Sequence, residues 1–437
     1  MNFNESAKYL YSLGNEVLAM KLGLEATETL LHALGNTERN FLKVQIAGTN
    51  GKGSTCAFLD AICRAAKIET GLFTSPHLVS ITERIKINGA EISETNFARH
   101  ATLIRNLSED LVKEKELETV PTFFEQMLAI AISAFAEAKI ELAILETGLG
   151  GRFDSVTATK AEIAAIMPID FDHQNILGNS LAEIAAEKAA IIRPDSRVVL
   201  APQKAEAEKI ILDKCRESNV EPIWATEKIQ IERQSAFSVF TTLTANIVTE
   251  NGNYTNVILG LPGRHQYTNA AVAVAVAETL RKKNFRISSE EISEGLSLAE
   301  HKGRLEFFQG ILFDGAHNAA GAEALKNYLD EFIKQPVTLI FGAMRDKDLT
   351  EIAAAIFPKA DCLIFTKPDN PRSMDASELM NFLPAGFDAK KVFQTGSVEK
   401  ALGIGRKKSG DGNLLCVTGS LYLVGEARKI LNNESEI

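Results

Sequence analysis

A glycine-rich segment that ends in a lysine is the first place where residue types suggest chemistry. Residues 44–55 read VQIAGTNGKGST, a strand-like apolar run that turns into the start of an amphipathic helix. Glycines let backbone N–H groups approach phosphate oxygens, a helix N-terminus adds partial positive charge, and Lys52 supplies a mobile cation. Because Gly53 separates Lys52 from Ser54, the spacing departs from the standard phosphate loop, and a tight turn with a surface lysine is the alternative. The predicted nucleotide-binding loop comprises Gly48, Thr49, Asn50, Gly51, Lys52, Gly53 and Ser54.

Carboxylates and an imidazole follow two other apolar runs. Glu146 comes directly after Leu142 to Leu145, and His173 follows the run 163–167 together with Asp172. In parallel α/β sheets, ligands lie beyond the carboxyl ends of the strands. Oxygen-rich sites with an occasional imidazole suit Mg²⁺ that bridges phosphates. Glu146 and His173 are therefore candidate metal ligands, with a purely structural histidine as the alternative.

The residue types alone leave the roles of four more positions undecided. Lys188 lies in a helical pattern over residues 182–192, where its spacing is that of an ordinary exposed helix lysine. Asp314 and His317 follow an apolar strand-like run, with Arg304 upstream. Contact with a phosphate or an anionic intermediate is one interpretation of the second group. A helix cap beside a buried histidine is the other.

Short apolar runs separated by helical patterns must position these residues. One series lies at 44–47, 142–145, 163–167 and 198–200, and a second at 311–313, 338–341, 363–365 and 414–417. This alternation predicts βαβ units and parallel sheets. The predicted fold class is α/β, with an N-terminal phosphate-loop domain over residues 1–297 and a smaller α/β domain over 298–437.

Bulk composition narrows the class of protein. A chain of 437 residues with 45% hydrophobic residues exceeds what one core usually organises, and its net charge of -10 argues against nucleic acid as a partner. The five cysteines are odd in number and far apart, which favours a reducing cytosol. Neither a secretory signal nor an apolar stretch of about 18 residues is present, so we expect a cytoplasmic protein without a membrane partner.

Eleven ordered segments resemble the folylpolyglutamate synthase and dihydrofolate synthase family, relatives of the Mur ligases that build peptidoglycan precursors. Each segment alone is weak, but together they run through nearly the whole chain. They lie at residues 9–36, 48–54, 74–78, 121–125, 146–154, 172–188, 265–271, 303–306, 314–318, 341–348 and 418–420.

The resemblance implies a larger ATP-binding domain and a smaller Rossmann-like C-terminal domain, with the active site in the cleft between them. It implies that Ser75, Glu146 and His173 hold magnesium. Lys188 matches the lysine that the family carbamylates, which turns a cation into a carboxylate that helps to hold a second Mg²⁺. The resemblance also implies ATP contacts beyond the phosphate loop, from Asn269, Arg304 and Asp314.

The same resemblance locates the other two substrates. His317 and Ser420 fall near the glutamate and acyl-phosphate region, and His317 joins Lys52 and Lys188 as a catalytic candidate. An aromatic pair such as that at 123–124 is otherwise expected in a core. The residues matching the acid-binding part are Thr122, Phe124, Glu125, Arg152 and Asp154.

The implied reaction begins when a carboxylate oxygen of the acid attacks the γ-phosphate of ATP. This gives ADP and an acyl phosphate, from which the amine of L-glutamate displaces phosphate. The expected acids are dihydropteroate and the γ-carboxyl of reduced folates, in a bifunctional, monomeric enzyme. ATP is the co-substrate, two Mg²⁺ ions are the expected cofactors, and a monovalent cation such as K⁺ is a further candidate.

Three alternatives remain beside the bifunctional enzyme. They are a monofunctional folylpolyglutamate synthase, a Mur-type ligase for a nucleotide-linked muramyl acid, and a nucleotide-gated binding protein without turnover. The chain also departs from the family pattern in three places. Val156 and Thr157 replace a Thr-Asn pair, which bears on the fit of the acid; Ala190 replaces a glycine; and Asp170 is an extra acid expected to add negative charge near the metal.

Overall fold

The chain forms two compact α/β units in this computed structural model, which describes residues 1–14, 23–225, 228–233, 243–410 and 412–435. The first unit comprises Met1–Gln230, Asn246–Val257 and Thr268–Ala299. The second comprises Ile231–Ala245, Ile258–Tyr267 and Glu300–Ile437. Each unit is built around a mainly parallel sheet, so the predicted α/β class is confirmed.

An eight-stranded sheet organises the first unit, in the order β4-β3-β2-β5-β1-β6-β7-β8. Strands β2, β5, β1, β6, β7 and β8 are parallel to their neighbours, and β3 and β4 add an antiparallel edge. The strands are β1 (Leu42–Ala47), β2 (Thr70–Phe73), β3 (Ile85–Ile87), β4 (Ala90–Glu91), β5 (Leu142–Glu146), β6 (Ile163–Ile166), β7 (Arg197–Leu200) and β8 (Pro222–Trp224).

Helices cover this sheet, and α5 shows how the sequence sets the limits of one of them. Helix α5 begins at Thr122, whose side chain accepts from the Glu125 N–H while Glu125 accepts from the Thr122 N–H, and it ends where Lys139 takes φ +55°. It is apolar almost all round and is buried. The helices are α1 (Phe3–Ser12), α2 (Glu25–Ala33), α3 (Lys52–Ala65), α4 (Glu94–Lys113), α5 (Phe123–Ala138), α6 (Gln174–Leu177), α7 (Leu181–Ala189) and α8 (Ala205–Glu217).

A small three-stranded sheet and two further helices follow in the chain. The sheet has the order β11-β10-β9, with β9 (Lys228–Arg233), β10 (Leu243–Thr249) and β11 (Gly252–Ile258). Helix α9 (His265–Arg281) is rich in alanine and valine, and α10 (Ser289–Leu298) packs on α3.

The second unit contains a six-stranded sheet in the order β12-β13-β17-β14-β15-β16. All its strands are parallel except β12, which runs antiparallel to β13. The strands are β12 (Glu306–Phe308), β13 (Ile311–Asp314), β14 (Val337–Phe341), β15 (Cys362–Phe365), β16 (Val392–Gln394) and β17 (Leu414–Thr418). The helices are α11 (Ala319–Phe332), α12 (Leu349–Ile356), α13 (Ala376–Leu379), α14 (Val398–Ser409) and α15 (Leu421–Ser435).

All eight apolar runs expected to be strands are strands, with ends that differ by at most two residues. Most are buried along nearly their whole length, as parallel strands covered on both faces must be. All five cysteines are buried and none forms a disulfide. Within the described parts of the chain, no helix is both long and apolar enough to cross a bilayer.

Candidate active site

The phosphate loop links β1 to α3, and its glycines are required by space as well as by backbone angle. Gly48 has φ +147°, and a Cβ atom there would lie 2.5 Å from the Cβ of Met167. Gly51 has φ +87°, and its Cβ would lie 2.2 Å from the Asn269 Oδ1. Lys52 begins α3, and its Nζ donates to the carbonyl oxygens of Gly48 (3.1 Å) and Thr49 (3.2 Å). The predicted loop is therefore a strand-to-helix turn with its lysine folded over it, and Asn269 lies beside it.

Ser75 and Glu146 meet because their strands are neighbours. Glu146 is the last residue of β5, and Ser75 follows β2, which pairs with β5 in parallel. The Ser75 N–H donates to the Glu146 Oε2 at 3.0 Å, and Glu146 is only 5% exposed. A carboxylate and a hydroxyl-bearing residue thus share one edge of the sheet.

His173 lies at the same edge, after the strand on the other side of β1. It precedes α6 with φ +49°, and its backbone N–H donates to the Asp172 Oδ1 at 2.9 Å. The neighbouring strands β2, β5, β1 and β6 therefore present Ser75, Glu146, the phosphate loop and the segment of His173 in that order. Parallel strands are about 4.8 Å apart, which places these groups across one strip of the sheet edge.

Lys188 is not the exposed helix lysine that its spacing indicates. It lies near the end of α7, is only 5% exposed, and its Nζ donates to the Gly48 carbonyl at 3.0 Å. Burial, together with the charge of Lys52, lowers the pKa of Lys188 to about 7, although Asp172 and Asp154 act in the opposite direction. The exposed interpretation was wrong because helical spacing does not reveal that the phosphate loop packs over this residue.

The donors at this edge suit a hard cation. Across the residues that the structure describes, no three His, Cys, Asp or Glu side chains form a metal cluster by themselves. A metal here therefore needs further oxygen ligands from Ser75, water or phosphate. Mg²⁺ takes such a shell, since it keeps several waters and binds one or two carboxylates together with substrate phosphates.

A second glycine-rich loop, residues 147–154, is held by hydrogen bonds to its own last residue, Asp154. Asp154 is buried, and its two oxygens accept from the N–H groups of Leu149 (2.9 Å) and Val156 (3.0 Å). Burial raises the pKa of Asp154 to about 6 despite these bonds. A Cβ on Gly148 would lie 2.7 Å from the Phe124 Cζ, so Phe124 packs directly on this loop. The structure brings Phe124 and Asp154 together.

Three residues expected at the acid pocket have partners within the protein. Arg152 donates from its Nε to the Glu187 Oε1 at 2.8 Å, and its backbone N–H donates to the Glu187 carbonyl at 2.9 Å. Thr122 and Glu125 form the capping box of α5. Arg152 therefore ties the loop 147–154 to the end of α7, where Lys188 lies.

This contact predicts opposite effects for two glycine-to-alanine changes. A Cβ on Gly151 would meet the Glu187 carbonyl at 2.7 Å and the Lys188 carbonyl at 3.0 Å. Gly151→Ala should lower the free energy of unfolding by about 1–3 kcal/mol, the usual cost of overpacking. Gly403→Ala is the matched control, because a Cβ in that helix of the second unit meets nothing within 4 Å.

Gly403→Ala should raise the free energy of unfolding by about 0.5–1 kcal/mol, since alanine is the better helix residue. Chemical denaturation followed by circular dichroism measures both changes. If Gly151→Ala raises the free energy of unfolding as Gly403→Ala does, the close packing of Gly151 on α7 is contradicted.

Two of the residues that depart from the family pattern, Asp170 and Thr157, have clear partners. The Asp170 Oδ1 pairs with the Lys204 Nζ at 2.7 Å, so its charge is already matched within the protein. The Thr157 hydroxyl donates to the Gly151 carbonyl at 2.7 Å and accepts from the Gln45 Nε2 at 2.8 Å. Gln45, in the middle of β1, was missed by sequence reasoning, since one amide side chain inside the apolar run 44–47 was the only signal.

In the second unit, the carboxyl ends of β13 and β17 carry the other expected residues. Asp314 is 8% exposed, and its oxygens accept from the N–H groups of Leu305 and Ala316, each at 3.0 Å. Burial raises the pKa of Asp314 to about 6, with Arg304 and the two N–H groups acting against the shift. Asp314 thus anchors the segments on either side of β12 and β13.

His317 and Ser420 lie next to these two strand ends. The His317 Nδ1 is 2.8 Å from the Gly315 carbonyl, and since a carbonyl only accepts, Nδ1 carries the proton. Ser420 is buried and its Oγ accepts from the Leu423 N–H at 3.1 Å, which starts α15. Because β13 and β17 pair in parallel, both residues belong to one edge of this sheet.

Known proteins with this pattern of domains decide the family. The model of the Mur ligase middle domain matches residues 46–277, and that of the Mur ligase glutamate ligase domain matches residues 303–421. A dihydrofolate synthase/folylpolyglutamate synthase of Bacillus subtilis (strain 168) is 33% identical over 436 residues, covering 96% of this chain and 97% of that protein. The chain belongs to the dihydrofolate synthase/folylpolyglutamate synthase family. It is therefore an ATP-dependent ligase that forms a C–N bond.

Solved structures agree with this family membership. Mycobacterium tuberculosis folylpolyglutamate synthase complexed with ADP is similar with a TM-score of 0.90 and 28% identity, covering 98% of each chain. A bifunctional folylpolyglutamate synthase/dihydrofolate synthase of Yersinia pestis, complexed with AMPPNP and a Mn ion, is similar with a TM-score of 0.84 and 26% identity, covering 99% of this chain and 98% of that one. These likenesses extend over nearly the whole length of the ligase.

Proposed function

We propose that this protein is a bifunctional ligase that adds L-glutamate to dihydropteroate and to the γ-carboxyl of reduced folates, with ATP as co-substrate. The observation that supports it most is the arrangement at the edge of the first sheet. There a phosphate loop, the Ser75–Glu146 pair and a buried lysine lie on neighbouring strands or on the helix packed against them. These groups are the ones that activation of a carboxylate by phosphoryl transfer requires.

The metal site that we propose comprises Ser75, Glu146 and His173, with Lys188 added when it is carbamylated. Bound Mg²⁺ would spread the negative charge that develops on the transferring phosphoryl group. Within the protein, the Ser75 N–H holds the Glu146 carboxylate in place. Oxygen donors with one imidazole match the chemistry of this ion.

The residues of the chain have separate tasks in the proposed reaction. Lys52 moves from the loop carbonyls to the phosphates, where its ammonium group stabilises developing charge. Asn269 lies beside Gly51 and contacts the nucleotide from the same side. Phe124 and Asp154 form part of the acid pocket, with Thr122, Glu125 and Arg152 shaping its frame. Arg304 and Asp314 contact ATP from the second unit.

In this proposal, His317 and Ser420 act in the second step, in which glutamate attacks the acyl phosphate. Since Nδ1 of His317 donates to the Gly315 carbonyl, Nε2 is the nitrogen of the neutral ring that can accept a proton. We propose that it takes a proton from the ammonium group of glutamate, which makes the amine a nucleophile. The amine then attacks the acyl carbon and phosphate leaves.

Incorporation of labelled glutamate tests the proposed function. Dihydropteroate and tetrahydrofolate are offered in separate reactions with ATP and Mg²⁺, and phosphate release is followed alongside. Incorporation with both acids is expected. Incorporation with tetrahydrofolate alone would identify a monofunctional folylpolyglutamate synthase, and incorporation with neither acid would overturn the assignment and make muramyl acids the next substrates to test.

Two buried carboxyls should make kcat/KM fall on the acid side of the pH profile, near pH 6. This fall is called the acid limb below. The pKa values of Asp314 and Asp154 are both raised to about 6, so each gains a proton as the pH falls through 6. A protonated carboxyl loses one of its two N–H contacts, which loosens the loop that it holds. We expect the limb of Asp314 in kcat/KM for ATP and the limb of Asp154 in kcat/KM for the acid, because each profile reports groups of the enzyme form that binds that substrate.

The measurement is kcat/KM between pH 5 and 8 for each substrate with the others saturating. Asp314→Asn should abolish the limb for ATP and leave the limb for the acid, and Asp154→Asn should do the reverse. Flat profiles for both wild-type substrates over this range would contradict the prediction.

We also propose the domain division at residues 297 and 298, and a monomeric enzyme acting in the cytosol on small molecules. The change from the first compact unit to the second between Ala299 and Glu300 supports the division, although Ile231–Ala245 and Ile258–Tyr267 also belong to the second unit. Five buried thiols without a disulfide favour a reducing compartment. Light scattering should give a mass near 47.6 kDa for the monomer.

A further inference from the structure

The segment that carries Ser75 is held from both sides by a cluster that the reaction does not use directly. This cluster consists of Tyr11, His77, Arg84 and Phe123. Arg84 is 3% exposed, and its carbonyl accepts from the N–H of Thr74 at 3.0 Å, directly before Ser75. The backbone around Ser75 is thus fixed on one side by the end of the helical turn that leads into β3.

Side-chain hydrogen bonds through His77 also link Arg84 to Tyr11. The Arg84 Nε donates to the His77 Nδ1 at 2.7 Å, and the His77 Nε2 is 3.1 Å from the Tyr11 hydroxyl. A guanidinium only donates, so Nδ1 carries no proton and the proton of the neutral ring is on Nε2. The direction of the hydrogen bonds is therefore Arg84 to His77 to Tyr11.

Tyr11 and Arg84, at the two ends of this series of hydrogen bonds, also pack on the start of α5. The Tyr11 ring stacks on Phe123 with centroids 5.8 Å apart and planes within 9° of each other. The Arg84 guanidinium lies over the same ring, 5.1 Å from its centroid. Phe123 is 3% exposed and immediately precedes Phe124, the residue that packs on the loop 147–154.

We propose that Arg84, His77 and Tyr11 are positioning residues that hold Ser75 at the correct place for the metal-bound nucleotide. The geometry supports this role because two separate side chains bridge the same two elements, the Ser75 segment and the N-terminus of α5. A cluster that only stabilised the fold would not need the directed hydrogen bonds through His77 to a tyrosine that is 53% exposed. The inference rests on the proposed function in taking Ser75 as a metal ligand.

Binding of AMPPNP by titration calorimetry, with Mg²⁺ and again with EDTA, tests the positioning role. Tyr11→Phe keeps the stacked ring and removes only the hydroxyl, and His77→Gln removes the ring. With Mg²⁺ we expect each change to weaken binding about three- to tenfold, the value of one neutral hydrogen bond. With EDTA the variants should bind as wild type does, because Ser75 then has no metal to hold.

The double variant and a matched control sharpen the result. Since both residues share one hydrogen bond, Tyr11→Phe/His77→Gln should be no more than about twofold weaker than the weaker single variant. Tyr9→Phe is the control: it lies on the same helix and its hydroxyl accepts from the α5 residue Gln126 at 3.0 Å, but it does not touch His77. It should bind Mg²⁺–AMPPNP within twofold of wild type.

Unchanged binding by Tyr11→Phe would overturn the proposal, as would equal weakening with and without Mg²⁺. Multiplied effects in the double variant would also overturn it. Tyr11→Phe is decisive even where His77→Gln folds poorly, because an exposed hydroxyl contributes little to folding. The proposed function fails separately, since wild type would then incorporate no glutamate, whereas binding of AMPPNP requires no turnover.

Discussion

Lys52→Ala should lower kcat for glutamate ligation by about 10²–10³-fold, the usual cost of removing one preorganised donor from developing charge. The Lys52 ammonium donates to two carbonyls of its own loop, those of Gly48 and Thr49. Each of these hydrogen bonds to a carbonyl is weak and the lysine side chain is flexible. Its ammonium group can therefore move to phosphate oxygens. Steady-state phosphate release with both acids measures the loss.

Two further variants test whether charge or position matters for Lys52. Lys52→Arg keeps the cation but exchanges a compact ammonium for a planar fork, so we expect only partial recovery of activity. Lys204→Ala is the matched control, because Lys204 is an exposed cation that pairs with Asp170 near the same edge of the sheet. If Lys52→Ala loses no more activity than Lys204→Ala, the role of Lys52 at the phosphates is wrong.

Lys188→Ala should reduce kcat by at least about 10–100-fold, the effect of losing a group that orients a metal site. Its pKa of about 7 leaves a large neutral fraction at physiological pH, unlike an ordinary lysine. The neutral Nζ can attack the carbon of CO₂: an N–C bond forms, one C=O electron pair moves to oxygen, and a proton leaves to solvent. The product is a carbamate. The burial that lowers the pKa of Lys188 keeps its amine uncharged and therefore able to react.

Removal of CO₂ and bicarbonate from the buffer distinguishes a carbamate from a simple lysine. Wild-type activity should fall in the depleted buffer and return with added bicarbonate, whereas Lys188→Ala and Lys188→Arg should be low under both conditions. Labelled ¹³C-bicarbonate should give a carbamate resonance in wild type that is absent from Lys188→Ala. Full activity of wild type in depleted buffer, with no such resonance, would contradict carbamylation.

Eight of the parallel strands were predictable because each is a run of apolar residues that must be covered on both faces. Strand β2 (Thr70–Phe73) was missed because its four residues include a glycine and lack a clear apolar run, and β3 and β4 are only three and two residues long. The prediction of the helix over 182–192 ran three residues too far, since α7 ends at Ala189. Short edge elements depend on pairing partners that a local pattern does not contain.

The site was predictable where a strand end delivers a residue directly, as with Glu146 and the phosphate loop. It was not predictable where the partner is remote in the chain. The Lys188 Nζ donates to a carbonyl 140 residues away, and the Arg152 Nε donates to the Glu187 Oε1, 35 residues further along the chain. Thr122 and Glu125 could have been read as a capping box from their spacing alone.

The buried cysteines provide five chemical reporters of partial opening. Cys56, Cys63 and Cys215 belong to the first unit, and Cys362 and Cys416 to the second. A thiol that is enclosed in the native state reacts with an alkylating reagent only when its surroundings open, so labelling rates measure local unfolding. Mass spectrometry of pulse-labelled peptides would then rank the two units by how often each exposes its interior, and would show which of them nucleotide protects.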